Sequence, residues 1–344
     1  MADVTLRLDQ ARQLAVEALT THATQADNAR SVADALLAAE VDGQPGHGLS
    51  RLPSYAAQAA SGKVDGHAVP RATAVGRAAW RIDGGHGFAF PALDVAIQRL
   101  VATTPGAAIG IATIARSHHA GQAGHHVERL AERGLIGLCF ANSPKAIAPW
   151  GGQQPLFGTN PIAFAAPRRT HPPLVIDTSL SKVARGKIML AARDGEPIPE
   201  GWALDATGSP TTDPHAALAG SMLPMGEAKG AALVLMVEIL AAALGGAHFG
   251  FEASSFFDGD GPPPGVGQTL IAIDPEPLAE GTFAMRLETL LDALLAQPGT
   301  RLPGADKAAR RERAARLGIT IPAALHADLL ALAAGGESGD RGQA

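Results

Sequence analysis

The feature that constrains this chain most is a change of hydrophobic period near residue 78. From there to residue 177, short apolar runs of strand length alternate with longer segments whose apolar residues recur every three or four positions. The strand-like runs cover 80–82, 107–115, 135–142, 161–166 and 174–177, and the helix-like runs cover 91–103 and 121–133. Such alternation predicts an α/β region whose sheet is largely covered. A region of this kind often carries a glycine fingerprint directly after a strand. Here the 40 glycines supply no G-x-G-x-x-G in that place, and no G-x-x-x-x-G-K-[ST], G-x-S-x-G or H-E-x-x-H occurs. Any dinucleotide must be held by other means.

Both flanks read as helical. Residues 6–23 and 27–39 have helical spacing, with Asp27 expected as the N-cap of the second helix. A Gly/Pro-rich loop over 42–48 leads into a short helix carrying Arg51, Tyr55 and Gln58. After the α/β region come a loop-rich stretch over 195–214, an apolar run over 231–247, a Gly/Pro loop over 258–267, a strand over 269–273 and closing helices. The run over 231–247 carries Glu238 and is short for a membrane span, so it reads as a buried helix. With no basic, apolar leader pattern at the N-terminus, a soluble cytoplasmic protein is expected. The net charge of −5 offers nothing that attracts nucleic acid or an anionic membrane. The single cysteine, Cys139, excludes an intrachain disulfide and lies in an apolar run, which suggests a buried thiol.

The cluster His118, His119, His125 and His126 suggests metal first, but its spacing argues against it. On a helix the two pairs lie seven residues, or about 10 Å, apart. Chelation from one face needs i, i+4 spacing, and position 122 is Gln122. No metal is expected. The cluster follows a strand at a strand-to-helix turn, where α/β folds bind ligands; histidines at a helix end are the alternative. His47, between Gly46 and Gly48, suits proton donation to a carbonyl oxygen or imine nitrogen. Arg51, one helical turn on, suits a clamp on a carboxylate. A solvated loop histidine with a structural arginine is the other reading of the same residues. Asp177, Thr178 and Ser179 close a strand, where an N-cap is the plain reading. The basic stretch Arg301, Lys307, Arg310, Arg311, Arg313 and Arg316 reads either as a phosphate contact or as a solvated helix face.

Together these segments resemble the malate/L-lactate dehydrogenase family, which is distinct from the Rossmann-type enzymes. The resemblance runs from about residue 8 to 330. It rests on Asp42, Gly43, His47, Gly48 and Arg51, on Ser117, His118 and His119, on the stretches 156–162, 184–188 and 210–214, and on Lys229 and Gly230. It implies a mixed-sheet, non-Rossmann domain over 76–281 that binds NADPH or NADH, with NADPH favoured. It also implies a helical part over 1–75 that joins helices over 282–334, a flexible tail over 335–344, and a homodimer. By position His47 resembles the family's proton donor, Arg51 its substrate-carboxylate ligand and Thr159 a substrate contact. His119, Ala120, Gly121, Gln122, Ala123, Asp177, Thr178, Ser179, Lys229, Gly230, Arg301, Gly304 and Lys307 fall where the family wraps its cofactor.

Two positions depart from the imine-reductase branch. Gly46 stands where that branch has a serine, and Lys187 where it has an aspartate, the pair described as a relay to the histidine. His47 is therefore expected to be oriented by something else, with Asp42, a backbone carbonyl or water as candidates. Lys145 reads as an exposed lysine, with a role as acid or ligand second. The resemblance implies reduction of a cyclic 2-imino acid, Δ1-pyrroline-2-carboxylate or Δ1-piperideine-2-carboxylate, toward which the wording of 50–66, 157–167 and 240–249 leans. An L-2-hydroxyacid dehydrogenase is the alternative, and Lys187 leans that way. A non-catalytic nucleotide-binding relative is a third reading, suggested by Gly46.

Overall fold

The apolar runs of the middle of the chain meet in one sheet. The computed structural model describes residues 3–336. Its strands are β1 (Val4–Leu6), β2 (Arg71–Gly76), β3 (Ala79–Asp83), β4 (Ile109–Ser117), β5 (Ile136–Ala141), β6 (Ile162–Ala166), β7 (Leu174–Thr178), β8 (Ala203–Leu204), β9 (Pro210–Thr211), β10 (Ser221–Met222), β11 (Val266–Ile273) and β12 (Ile319–Ile321). The helices are α1 (Leu8–Thr20), α2 (Ala26–Val41), α3 (Leu52–Ala60), α4 (Ala89–Thr103), α5 (Ala123–Ala131), α6 (Arg185–Asp194), α7 (Pro214–Ala219), α8 (Glu227–Glu238), α9 (Pro275–Leu278), α10 (Phe283–Leu295), α11 (Lys307–Leu317) and α12 (Ala323–Ala333).

The main sheet has seven strands in the order β2-β3-β4-β11-β5-β6-β7. Only β3 and β4 pair in parallel; the other neighbours are antiparallel. The sheet is thus mixed rather than doubly wound, as expected for a non-Rossmann fold. β11 arrives late in the chain and inserts at the centre, where Val266, Leu270 and Ala272 are buried. Side-chain alternation sends Cys139 and Ala141 of β5 into a core under α4 and α5, and Leu138 and Phe140 into one under α6 and α8. Both faces are therefore covered. Cys139 is fully buried, and burial pushes its thiol up to about 12, so it stays protonated and inert.

A third core joins the two chain ends. Leu14, Leu19, Val32 and Leu36 of α1 and α2 pack with Leu52 and Tyr55 of α3 and with Leu329 and Leu332 of α12. β1 pairs antiparallel with β12, Val4 opposite Ile321.

Three local expectations are corrected. Leu6, the first residue of the helix expected over 6–23, instead ends β1, whose pairing partner β12 lies more than 300 residues away. Gln25, not Asp27, is the N-cap of α2; Asp27 sits in the first turn, where a carboxylate favours the helix dipole, and pairs with Arg30. The run over 231–247 is only half buried. It comprises the end of α8 and a π-turn (Ile239–Ala243), with Ala231, Val234, Val237 and Ala241 inward but Leu233, Leu235, Met236, Ile239 and Leu244 exposed. The expected tail lies, from residue 337, outside the described residues. Among the described residues no helix is long and apolar enough to cross a membrane.

Candidate active site

Strand direction decides which residues can meet. β3, β4, β5 and β7 run one way and β6 and β11 the other. The carboxyl ends of the first four and the amino ends of the other two therefore share one edge of the sheet. His118 and His119 follow β4 there, Asn142 and Ser143 follow β5, Thr159 and Asn160 precede β6, and Asp177 and Thr178 end β7. In α/β sheets this edge is where ligands bind.

The loop after α2 brings its own residues to that edge through two 3-10 turns (Pro45–His47 and Leu49–Arg51). Glu40 accepts a hydrogen bond from Leu49 N–H at 2.9 Å, and a Cβ at position 48 would lie 2.2 Å from its carboxylate, so a larger residue there would displace the Glu40 side chain from this contact. Position 46 is different: a Cβ there meets nothing within 4 Å, so Gly46 is not demanded by packing. Arg51 donates Nε–H to the Gly46 carbonyl at 2.7 Å, and its guanidinium lies 4.7 Å from the centre of the Phe257 ring.

His47 and His119 are joined, Nδ1 to Nε2, at 3.3 Å, and Tyr55 Oη lies 2.6 Å from His119 Nδ1. Tyr55 is fully buried against Phe88 and Phe90. Burial pulls His47 down to about 4, with the Arg51 charge adding to it, and burial holds His119 well below the usual histidine range. Both imidazoles are neutral at pH 7. Two other histidines of the cluster are engaged by protein groups: His118 Nε2 pairs with Gln58 Oε1 and His126 Nε2 with the Ala120 carbonyl, both at 2.8 Å. They are buried, not solvated helix-end groups. Asp42 does not orient His47. Burial pushes its carboxyl up, but Arg311, Lys307 and Gln122 more than offset that and hold it below the usual carboxylate range. Lys145 is exposed, and so is Lys187, in the first turn of α6.

The segments expected to wrap a cofactor form an adjoining arm. Asp177 Oδ2 accepts from Gly124 N–H at 2.8 Å, which seats 177–179 against the first turn of α5 and the 119–123 segment. Gly121 has φ +64°, and a Cβ there would lie 2.9 Å from Phe90, so both conformation and space require glycine. Gln122 donates Nε2–H to Asp42 Oδ2 at 3.0 Å, while its buried Oε1 has no partner. The Lys307 ammonium sits 3.1 Å from Asp42, and its charge also reaches Asp177. Arg311 ties α11 down by binding Asp42 and Glu128 at once, at 2.7–2.9 Å. Residues 301–306 and Arg310 line an open cavity of about 720 Å³, with Arg301 and Gly304 in its wall. α8 starts beside 177–179, because Met225 N–H donates to the Leu180 carbonyl at 2.8 Å. There Lys229 is exposed and Gly230 buried, a Cβ at 230 falling 1.6 Å from the Met225 carbonyl. An unpartnered amide oxygen, a buried ammonium, glycine turns and a guanidinium-rimmed cavity suit a ligand carrying amide and phosphate groups. A nicotinamide dinucleotide is one.

Thr159 belongs to a third cluster on the same edge. Its N–H donates to Ser143 Oγ at 3.1 Å, and its carbonyl accepts from Ser179 Oγ at 3.4 Å. The neighbouring Asn160, at φ +40°, donates to buried Glu238 at 2.6 Å; Asn142 and Gly250 N–H also donate to that carboxylate. Glu238 thus anchors the turn from inside α8. Neither Glu238 nor Tyr55 stood out as a site residue in the sequence. Tyr55 is the chain's one tyrosine, placed two turns beyond His47, which was the only signal for it.

A family profile described as malate/L-lactate dehydrogenase matches residues 6–330. A (2R)-3-sulfolactate dehydrogenase (NADP(+)) of Chromohalobacter salexigens is 52% identical over 95% of this chain and 98% of its own length. A Δ1-pyrroline-2-carboxylate/Δ1-piperideine-2-carboxylate reductase of Pseudomonas aeruginosa is 41% identical over 96% of this chain and 99% of its own. The crystal structure of Δ1-piperideine-2-carboxylate reductase from Pseudomonas syringae superposes with a TM-score of 0.91 at 41% identity, covering 96% of this chain and 99% of that one.

Proposed function

The chain belongs to the malate/L-lactate dehydrogenase family, and from that premise we propose that it is an NADP(H)-dependent oxidoreductase of a small 2-hydroxy acid and its 2-oxo acid. The observation that carries this reading is one short turn presenting a neutral imidazole and a guanidinium together. His47 has Nδ1 engaged by His119, which leaves Nε2 to face a ligand. Arg51 has Nε engaged by the Gly46 carbonyl, which leaves its two Nη groups for bidentate contact with a carboxylate. Residues 119–123, 177–179, Lys229, Gly230, Arg301, Gly304 and Lys307 hold the cofactor, which when bound exchanges hydride with the carbon next to that carboxylate. His47 Nε2 takes the hydroxyl proton on oxidation and returns it on reduction. Thr159 borders the substrate from the β6 side. The cofactor preference rests on the NADP(+) dependence of the 52% identical relative.

The resemblance read from the residues put a cyclic 2-imino acid first. Two observations favour the hydroxy acid: the 52% identical relative acts on sulfolactate, and an imidazole neutral at pH 7 suits a base toward a hydroxyl. The imino acid stays as the second reading because relatives at 41–43% identity act on Δ1-pyrroline-2-carboxylate and Δ1-piperideine-2-carboxylate. The deciding assay follows NADPH oxidation with 3-sulfopyruvate, oxaloacetate, pyruvate and Δ1-pyrroline-2-carboxylate. We expect kcat/KM for one of the 2-oxo acids to exceed that for the imine at least tenfold. The reverse order establishes the second reading, and no turnover with any of the four refutes both.

We also infer a homodimer through the outer face of α8. Leu235, at 47% exposure, and Ile239, at 52% in the π-turn that continues the helix, present large apolar side chains to water four residues apart. Leu235→Glu with Ile239→Glu is expected to turn a dimer into a monomer in light scattering. A wild-type monomer refutes this.

A further inference from the structure

Among the described residues no carboxylate hydrogen-bonds to His47, yet its inner nitrogen is not left to solvent. Gly46 and Lys187 stand where the resemblance led us to look for supporting groups; Gly46 has no side chain to offer, and the Lys187 side chain is exposed. What meets Nδ1 instead is His119 Nε2, at 3.3 Å. The two ring planes are near parallel, 20° apart with centres 5.2 Å apart, a stacked pair whose facing nitrogens lie within hydrogen-bonding distance. Behind His119, Tyr55 Oη closes on Nδ1 at 2.6 Å, and Tyr55 itself is immobilised by Phe88, Phe90 and His118.

We propose that His119, held by Tyr55, is the positioning residue for His47, a neutral imidazole occupying the place a carboxylate takes behind other catalytic histidines; this rests on the reading of His47 as the proton-transfer group. The proton assignment follows from that role. As base, His47 needs a lone pair on Nε2, so its proton sits on Nδ1; as acid it carries both protons. In either state Nδ1–H donates, and His119 Nε2 must accept. His119 then carries its own proton on Nδ1 and donates it to the Tyr55 oxygen. Burial pushes the Tyr55 hydroxyl up, so that oxygen stays a neutral phenol. The other groups acting on the pair are Arg51 from the loop before α3, His118 beside His119, and His126 on α5. A neutral acceptor orients His47 and supports its cation only weakly, so the donor can lose and regain its proton within one turnover. Because both ring nitrogens of His119 are engaged, any contact of this residue with cofactor is made by its backbone.

The test compares wild type with His119→Leu, His119→Gln and Tyr55→Phe in the full chain. Removing the acceptor disfavours the imidazolium, so the pH above which reduction fails is expected to move down by at least half a unit in His119→Leu. We expect kcat to drop tenfold or more there, with KM for the acid changed less than threefold. His119→Gln, which can present an amide oxygen to Nδ1, recovers part of both effects, and Tyr55→Phe shows a smaller shift in the same direction. Long-range ¹H–¹⁵N spectra of the free protein supply a readout without turnover: His47 is expected as the Nδ1–H tautomer in wild type and as a mixture in His119→Leu. Unchanged tautomer and pH profile in His119→Leu overturn the proposal, as does a loss confined to KM for cofactor. If instead His47→Gln retains full turnover, the reading of His47 itself is what falls.

Discussion

Replacing His47 by glutamine is expected to lower kcat by about 10²–10⁴-fold in both directions while leaving cofactor affinity unchanged. Glutamine keeps a polar group of similar reach but cannot take up and return a proton. The pH dependence separates this loss from a loss of folding. In the free protein His47 is pulled down to about 4, by burial first and by the Arg51 charge second. The base form is therefore present from pH 5 upward, and kcat/KM for oxidation, which reports the free enzyme, is flat there and falls as pH drops through about 4. A substrate carboxylate on Arg51 offsets the guanidinium charge, so the same group titrates higher in the complex. Reduction needs the protonated form, so kcat for reduction falls as pH rises through that higher value. Steady-state rates across pH 3–10 check both limbs, and His47→Gln should have neither. NADPH fluorescence measured on the variant distinguishes a disabled enzyme from a non-binding one. Turnover within threefold of wild type at all pH values refutes the assignment of His47.

How much of this was legible in the residues depends on how local the deciding physics is. The alternation between 80 and 177 is a short-range signal, and its strands and helices form the observed sheet and one of its covers. His47 and Arg51 were legible because glycines and a four-residue spacing mark them within one turn. What lies behind His47 was not. His119 is 72 residues away, and only the antiparallel insertion of β11 between β4 and β5 sets the edge on which it stands. Asp42 was the nearest acid in sequence and therefore the natural candidate, but Arg311, 269 residues on, claims it. The half-exposed α8 was misread for another reason. A segment apolar on every side carries no periodic signal to say which side faces the core. The words that leaned toward an imine substrate include 240–249, yet Leu240 packs in the core beneath the sheet and its carbonyl accepts from Thr269.

Arg51 carries the second large effect, and its form is different. Burial weakens the protonated guanidinium, but it remains charged, stacked on Phe257 and fixed through Nε by the Gly46 carbonyl. Those contacts pre-set its orientation, so little freedom is lost when a carboxylate arrives. Arg51→Met keeps the length and apolar stem and removes the charge. A buried carboxylate left without its partner costs about 2–5 kcal/mol, or roughly 30- to several-thousand-fold in kcat/KM for the acid. The loss should appear chiefly in KM, because the contact is made to bound acid and transition state alike. Arg51→Lys retains charge but forfeits both the bidentate geometry and the Gly46 contact, so an intermediate loss of at least tenfold is expected. A second consequence ties the two residues together. Without the guanidinium, one of the two causes that depress His47 is gone, so its free-protein titration should move up from about 4 toward the ordinary range. Histidine NMR titration of Arg51→Met measures that shift directly. An unmoved His47, with KM for the acid unchanged, would mean that the anion is bound elsewhere on the sheet edge and that the turn from 45 to 51 is not its cradle.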